Sequence, residues 1–201
     1  TEKDDKNLHE SNKPSQFNVN QGEENYSNIV NFIRSDDVES FKNFITKTNL
    51  PLNSKVSDSS MKTFDFICGS FIEYSAAFGS INIFKYLYEN LETLPRNVLS
   101  SAIFSENLEI IHLIEKKGIK LINFDIFRTI SNYKNKVFDY FISTNQIKFE
   151  FSLVDCSIRS RNYYVLNELF ERNPCFLTNI NYINRIFSTI CKNDIRNLFN
   201  V

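Results

Sequence analysis

The chain has 201 residues and a mass of 23.6 kDa, enough to bury a sizeable core as one or two domains. Its net charge of −1 and pI near 6.1 argue against the basic surplus of a general nucleic-acid binder. Only four glycines and four prolines interrupt it, which favours helices over a many-stranded β fold.

Residues 1–25 carry only Leu8, Phe17 and Val19 as sizeable apolar side chains. So little burial does not offset the entropy of ordering, and a disordered N-terminal tail is expected. The segment also lacks the apolar core of a secretory signal, and no run of about 18 apolar residues occurs in the chain.

From Tyr26 the pattern becomes helical. Short apolar stretches alternate with longer ones: IVNFI, IEYSAA, VLSSAI, IFRTI, VDCSI and IFSTI each precede a second stripe. The second stripes begin at Val38, Ile81, Leu108, Asn135, Tyr163 and Ile195, and several follow one another at 27 or 28 residues. Apolar residues at i, i+3 and i+6 with a neighbour share one helix face. The unit is therefore a helix, a short turn and a second helix, repeated about six times over residues 26–201. A single pair cannot hide its apolar face, whereas stacked pairs share a core. A long loop, about 53–69, separates the first two units.

Punctuation supports this register. Gly118, Asn145, Asn173, Asn49 and Asn90 follow second helices, where a left-handed residue often closes a helix. Asp37, Ser80, Asn107 and Asp194 are suited to cap the second helices. At the turn inside each pair stand Asp36, Gly79, Glu106, Tyr133, Arg161 and Asn193. The small residues Ala76, Ala102 and Ser157 are expected where neighbouring first helices approach closely.

The run Ser75-Ala76-Ala77-Phe78-Gly79-Ser80-Ile81-Asn82-Ile83-Phe84-Lys85-Tyr86-Leu87 is similar to the ankyrin pattern of small residues, Gly-His and an apolar second helix. Asn107-Leu108-Glu109-Ile110-Ile111 repeats its second half. Residues 36–53 and 72–90, with the insertion between them, resemble the divergent ankyrin-like domain of unknown function expanded in some protists. The resemblance covers residues 26–201 and is carried mainly by 36–113. It implies an all-α solenoid of about six degenerate ankyrin-like helix-turn-helix repeats. No unit has the Thr-Pro-Leu-His opening, and the short period leaves little room for the β-hairpin finger of longer ankyrin repeats.

Residues that could carry chemistry are few. The histidines are His9, in the tail, and His112, on the polar side of a helix. The motifs of zinc proteases, phosphate-binding loops and dinucleotide folds do not occur. The cysteines at 68, 156, 175 and 191 form no CxxC and read as ordinary thiols of a reducing, intracellular and cytoplasmic setting. Asp36-Asp37 reads as helix capping before acid–base catalysis. No cofactor, metal or small-molecule substrate is expected, and no enzymatic activity.

The resemblance implies a non-enzymatic scaffold that binds another protein, with the residues before each inter-helix turn facing the groove. Phe78, Phe104, Asn132 and Arg159 are the expected contacts, since exposed aromatics and arginine tend to anchor interfaces. Burial of Phe78 and Phe104 against the next unit is the competing reading. Arg34, Arg159, Arg161 and Lys192, with Tyr163 and Tyr164 nearby, leave a nucleic-acid-binding helical repeat as the alternative.

Overall fold

A computed structural model describes residues 23–56, 69–144 and 146–199. Residues 1–22 of the expected tail, residues 57–68 of the expected loop, and Asn145 lie outside the described residues. The regular elements among the described residues are all helices. Lys55 and Ser70 form one isolated antiparallel bridge.

Chain contacts divide the protein into two compact units, 1–98 and 99–201. The first holds α1 (Glu23–Arg34), α2 (Val38–Thr48), α3 (Phe71–Phe78) and α4 (Ile81–Asn90). Here α1 packs on α2 and α3, and α4 packs on α2 and α3. Phe41 makes edge-on contacts with Phe71 and Tyr86, at 5.7 and 6.2 Å between ring centroids.

The second unit takes all but the first residue of α5 (Val98–Ser105), then α6 (Leu108–Lys116), α7 (Asn123–Ser131), α8 (Asn135–Ser143), α9 (Phe151–Ser160), α10 (Tyr163–Arg172), α11 (Cys175–Thr178) and α12 (Ile180–Phe199). Within it α7 packs on α8 and α9, α9 on α10 and α12, and α8 on α10. The buried stripes match the periodicity: Ile110, Ile111 and Ile114 on α6, Val137, Phe138 and Phe141 on α8, Val165 and Leu169 on α10.

Five helix pairs turn in the same way. Asp36, Gly79, Glu106, Tyr133 and Arg161 have φ of 55°, 71°, 56°, 57° and 58°, the left-handed region. At four of the five turns, two backbone bonds close the helix. Asp36, Gly79, Tyr133 and Arg161 donate to the carbonyl three residues back, and each following residue donates five back. This is the Schellman arrangement, which satisfies carbonyls a helix end would otherwise leave bare. The glycine at 79 suits the conformation; the other four carry a Cβ there at a cost of about 1–2 kcal/mol each.

The sixth pair departs from expectation. A short α11 is followed by α12, which runs unbroken through Asn193 and Asp194, so neither a turn nor a cap forms there. Continuing the helix keeps each backbone amide on its i−4 carbonyl and avoids the left-handed penalty. Two of the expected helix-closing positions also differ. Asn49 (φ 51°) and Gly118 (φ 85°) are left-handed. Asn173 has φ −136°, and Asn90 is the last residue of α4, with Leu91 after it at φ −102°. Pro174 follows Asn173, and the residue before a proline is pushed to extended backbone.

The small residues of the first helices are buried, with one shift of register. Ala76, Ala102 and Ser157 are fully buried. Counted from the left-handed turns, however, the equivalents of Ala102 and Ser157 are Ser75 and Thr129, four residues before each turn. Ser75, Thr129 and Ser157 bond their hydroxyls to the carbonyls of Ile72, Asp125 and Leu153 on their own helices, at 2.9, 2.8 and 2.8 Å. A small hydroxyl satisfied locally is as compatible with a dry contact as alanine.

Candidate partner-binding surface

The residues just before each turn are placed by the same device, so they fall at the helix ends. In the first unit, Phe78 is 37% exposed. Its ring lies 4.7 Å from that of buried Tyr74, and the Arg34 guanidinium sits 5.0 Å from its centroid. Arg34 Nε also donates to the Tyr74 hydroxyl at 3.1 Å. The three side chains form a half-open aromatic–guanidinium cluster, and the charge is oriented by the ring face.

In the second unit, Phe104 is half-buried. The Lys134 ammonium lies 4.8 Å from its ring and 3.4 Å from a Glu106 carboxylate oxygen. Asn132 is exposed at the end of α7, where its amide donates to the Arg128 carbonyl at 2.9 Å. Arg159 is exposed and bonds Asp155 one turn back on α9. Asp155 accepts in addition from Thr189 of α12 at 2.9 Å. Of the four expected contacts, Phe78, Asn132 and Arg159 are therefore accessible to different degrees, and Phe104 is partly covered.

Sequence reasoning passed over two exposed aromatics here. Phe124 holds the Arg128 guanidinium 4.6 Å from its ring, an i, i+4 pairing visible in the spacing. Tyr133 presents its ring at the turn and donates its hydroxyl to the Ser160 carbonyl of the next pair. Arg161 is exposed at its own turn beside Tyr163, which is exposed on the first turn of α10. Tyr164 donates to Asp139 at 2.8 Å, and that bond raises its hydroxyl pKa above the usual tyrosine value. Lys192 is exposed on α12.

The carboxylates singled out by sequence act on backbone. Asp37 accepts from Ser40 N at 3.1 Å and caps α2, and this bonding holds its carboxyl below the ordinary value. Asp36 reaches α4 of the next pair, accepting from Asn82 N and Ile83 N at 3.1 and 3.0 Å. Asn107 caps α6 and Asn162 caps α10, but the Ser80 hydroxyl turns to the Ile33 carbonyl instead of its own helix.

A shallow cleft of about 440 Å³ lies after α6, lined by Glu115, Gly118, Ile119, Lys120, Leu121 and Gln146. Its carboxylate is engaged from two sides, by Tyr140 Oη at 2.6 Å and Gln146 Nε2 at 3.0 Å. Burial, then the bond to Glu115, pushes the Tyr140 hydroxyl up to about 12. His112 is on the surface, with Nδ1 3.8 Å from Glu115. His9 and Cys68 lie outside the described residues. Cys156 is half-buried, with its thiol pKa raised by that burial, and Cys175 and Cys191 are exposed. Among the described residues no group of three His, Cys, Asp or Glu could hold a metal ion, and no helix is long and apolar enough to cross a membrane.

Comparison with protein-family models, with curated proteins and with solved structures finds no match to this chain.

Proposed function

We propose that the chain is a non-enzymatic protein-binding scaffold, a solenoid of degenerate ankyrin-like helix pairs. One observation carries this reading: left-handed turns recur at 36, 79, 106, 133 and 161, with the apolar stripes in constant register to them. Equivalent turns set equivalent edges, and a row of such edges can vary in side chain without disturbing the stripes behind it. Phe78 with Arg34, Asn132, Tyr133 and Arg159 stand on those edges, and aromatic rings and guanidinium groups are the side chains that anchor partners. Tight Schellman turns replace the finger of longer ankyrin repeats, so contact is made by helix ends.

The partner is another protein in a reducing, intracellular compartment. The test compares proteins captured from native lysate by wild type and by Phe78→Ala/Arg159→Ala, with both folded by circular dichroism. Specific capture lost in the variant supports the reading, and identical capture counts against these edges. A nucleic-acid-binding repeat is the alternative, favoured by Tyr163, 69% exposed, beside exposed Arg161. Salt-sensitive retention on a polyanion column, lost in Arg161→Ala/Tyr163→Ala, would move the assignment to it.

A further inference from the structure

Two segments of the second unit that link one helix pair to the next are built alike. Residues 119–122 and 146–150 are neither helical nor turned, and both end extended, at Ile122 (φ −123°, ψ 162°) and Glu150 (φ −106°, ψ 153°). Their burial alternates. Half-buried Ile119 and Leu121 flank exposed Lys120, and buried Ile147 and half-buried Phe149 flank exposed Lys148. A period of two belongs to a strand with one covered face. Among the described residues, however, no hydrogen bond uses the backbone amides or carbonyls of Ile119, Lys120 and Leu121. These three residues line the cleft of about 440 Å³, with Glu115, Gly118 and Gln146.

Charge is one-sided at the same place. Residues 115–122 and 146–150 hold four lysines against two glutamates, in a chain of net charge −1. Lys116 and Lys117 stand at the end of α6, where cations complement the helix dipole. Lys120 and Lys148 lie outside any helix, so the dipole does not account for them. Among the described residues, no carboxylate pairs with Lys116, Lys120 or Lys148. The Glu115 carboxylate is already engaged by its own chain, through Tyr140 and Gln146.

We infer that this cleft captures an acidic segment of another protein, laid extended along residues 119–121 as an added strand. The bare backbone of 119–121 supplies the recognition, because an added strand pairs with the amide and carbonyl of every second residue along an open edge. The lysines select the charge of the occupant. The cleft selects its alternation: side chains on the face of Ile119 and Leu121 are apolar, and their neighbours fall on the face of Lys120 and are acidic. A nucleic-acid strand would meet the lysines, but its backbone has no amide donors for the carbonyls. The inference does not depend on what the turn edges bind.

Fluorescence anisotropy tests it, with the full chain at low salt, where surface charges are screened least. The probe is a labelled heptapeptide alternating glutamate and valine. Its controls are the same peptide with lysine for glutamate, and an oligothymidylate of equal length. The acidic peptide is expected to saturate below roughly 1 mM chain, the weak end of specific binding, and to bind more tightly than either control. Lys120→Glu/Lys148→Glu changes two exposed side chains and is expected to weaken it by about tenfold, with unchanged circular dichroism. On saturation, amide exchange read by magnetic resonance should slow by about tenfold at Ile119 and Leu121 or at Lys120, since one edge takes alternate residues. No saturable binding of the acidic peptide, equal or tighter binding of either control, unchanged affinity in the variant, or unslowed exchange across 119–121 would each overturn the inference. None of these results would touch capture of a partner by the turn edges.

Discussion

The side-chain amide of Asn162 donates to the carbonyl of Ile130 at 2.9 Å, joining one helix pair to the pair before it. Ser80 makes the same connection to Ile33 in the first unit. Ile33 and Ile130 each stand three residues before a left-handed turn, and Ser80 and Asn162 each stand one residue after the next turn. Two different side chains thus satisfy the same backbone carbonyl, one by hydroxyl and one by amide.

Asn162 is 1% exposed, and it also donates to Asn135 Oδ1 at 2.9 Å and accepts from Val165 N at 3.2 Å. Asn162→Ala removes two buried amide bonds, leaving the Ile130 carbonyl with the Tyr133 amide alone, and removes a helix cap. A loss of about 2 kcal/mol is expected, read as a lowered urea midpoint at unchanged slope. An unchanged midpoint would show that water replaces the amide without cost.

Arg161 and Gly79 make opposite predictions at equivalent turns. Arg161→Gly removes a Cβ from a left-handed position on the surface and should stabilise by about 1 kcal/mol. Gly79→Ala should destabilise by a similar amount, because the new Cβ meets φ of 71°. Thermal midpoints moving in the same direction for both would contradict the shared turn geometry.

Gly69 precedes the Ser70–Glu73 capping box, in which Glu73 accepts from Ser70 N at 2.7 Å. A Cβ at 69 would stand 2.1 Å from a Glu73 carboxylate oxygen and 2.9 Å from the Glu73 Cβ. Gly69→Ala therefore displaces the carboxylate from its cap, at an expected cost of about 1 kcal/mol. Protection of the Ser70 amide in hydrogen exchange should fall with it; retained protection would mean the box tolerates the methyl.

Ala76 is fully buried on α3, which packs on α1 and α4. Ala76→Leu overpacks this contact and should cost roughly 1–3 kcal/mol. A thermal midpoint equal to wild type would remove Ala76 from the packed interface.

Tyr140 gives a pH dependence. Its hydroxyl rises from 10.0 to about 12 in the folded chain, so the folded state favours the protonated form. That contribution is whole below pH 10 and is lost as pH rises through the interval from 10 to about 12. Stability should fall across this window, and less steeply in Tyr140→Phe. Parallel profiles for the two proteins would show that the Tyr140 hydroxyl contributes nothing to this pH dependence.

Much of the fold was legible because it is local. The stripes of α2, α4, α6, α8 and α10 follow from spacing, and Asp36, Glu106, Tyr133 and Arg161 fell at the turns because the register of the stripes left no other residue there. Asp37 and Asn107 cap their own helices, as short polar residues before an apolar run do. The candidate surface was less legible: Phe104, just before its turn, is half-covered, and Phe124, at the start of α7, is open.

By itself, then, the amino-acid order determined that this protein is helical, paired, and turned at five of the six stated places. These depend on periodicities of three to four residues and on backbone preferences within one turn. Tertiary structure alone decided that Asp36 caps α4 rather than its own pair and that Ser80 bonds Ile33. Each of those outcomes is settled by which remote atoms come within bonding or packing distance, and no short-range pattern encodes that.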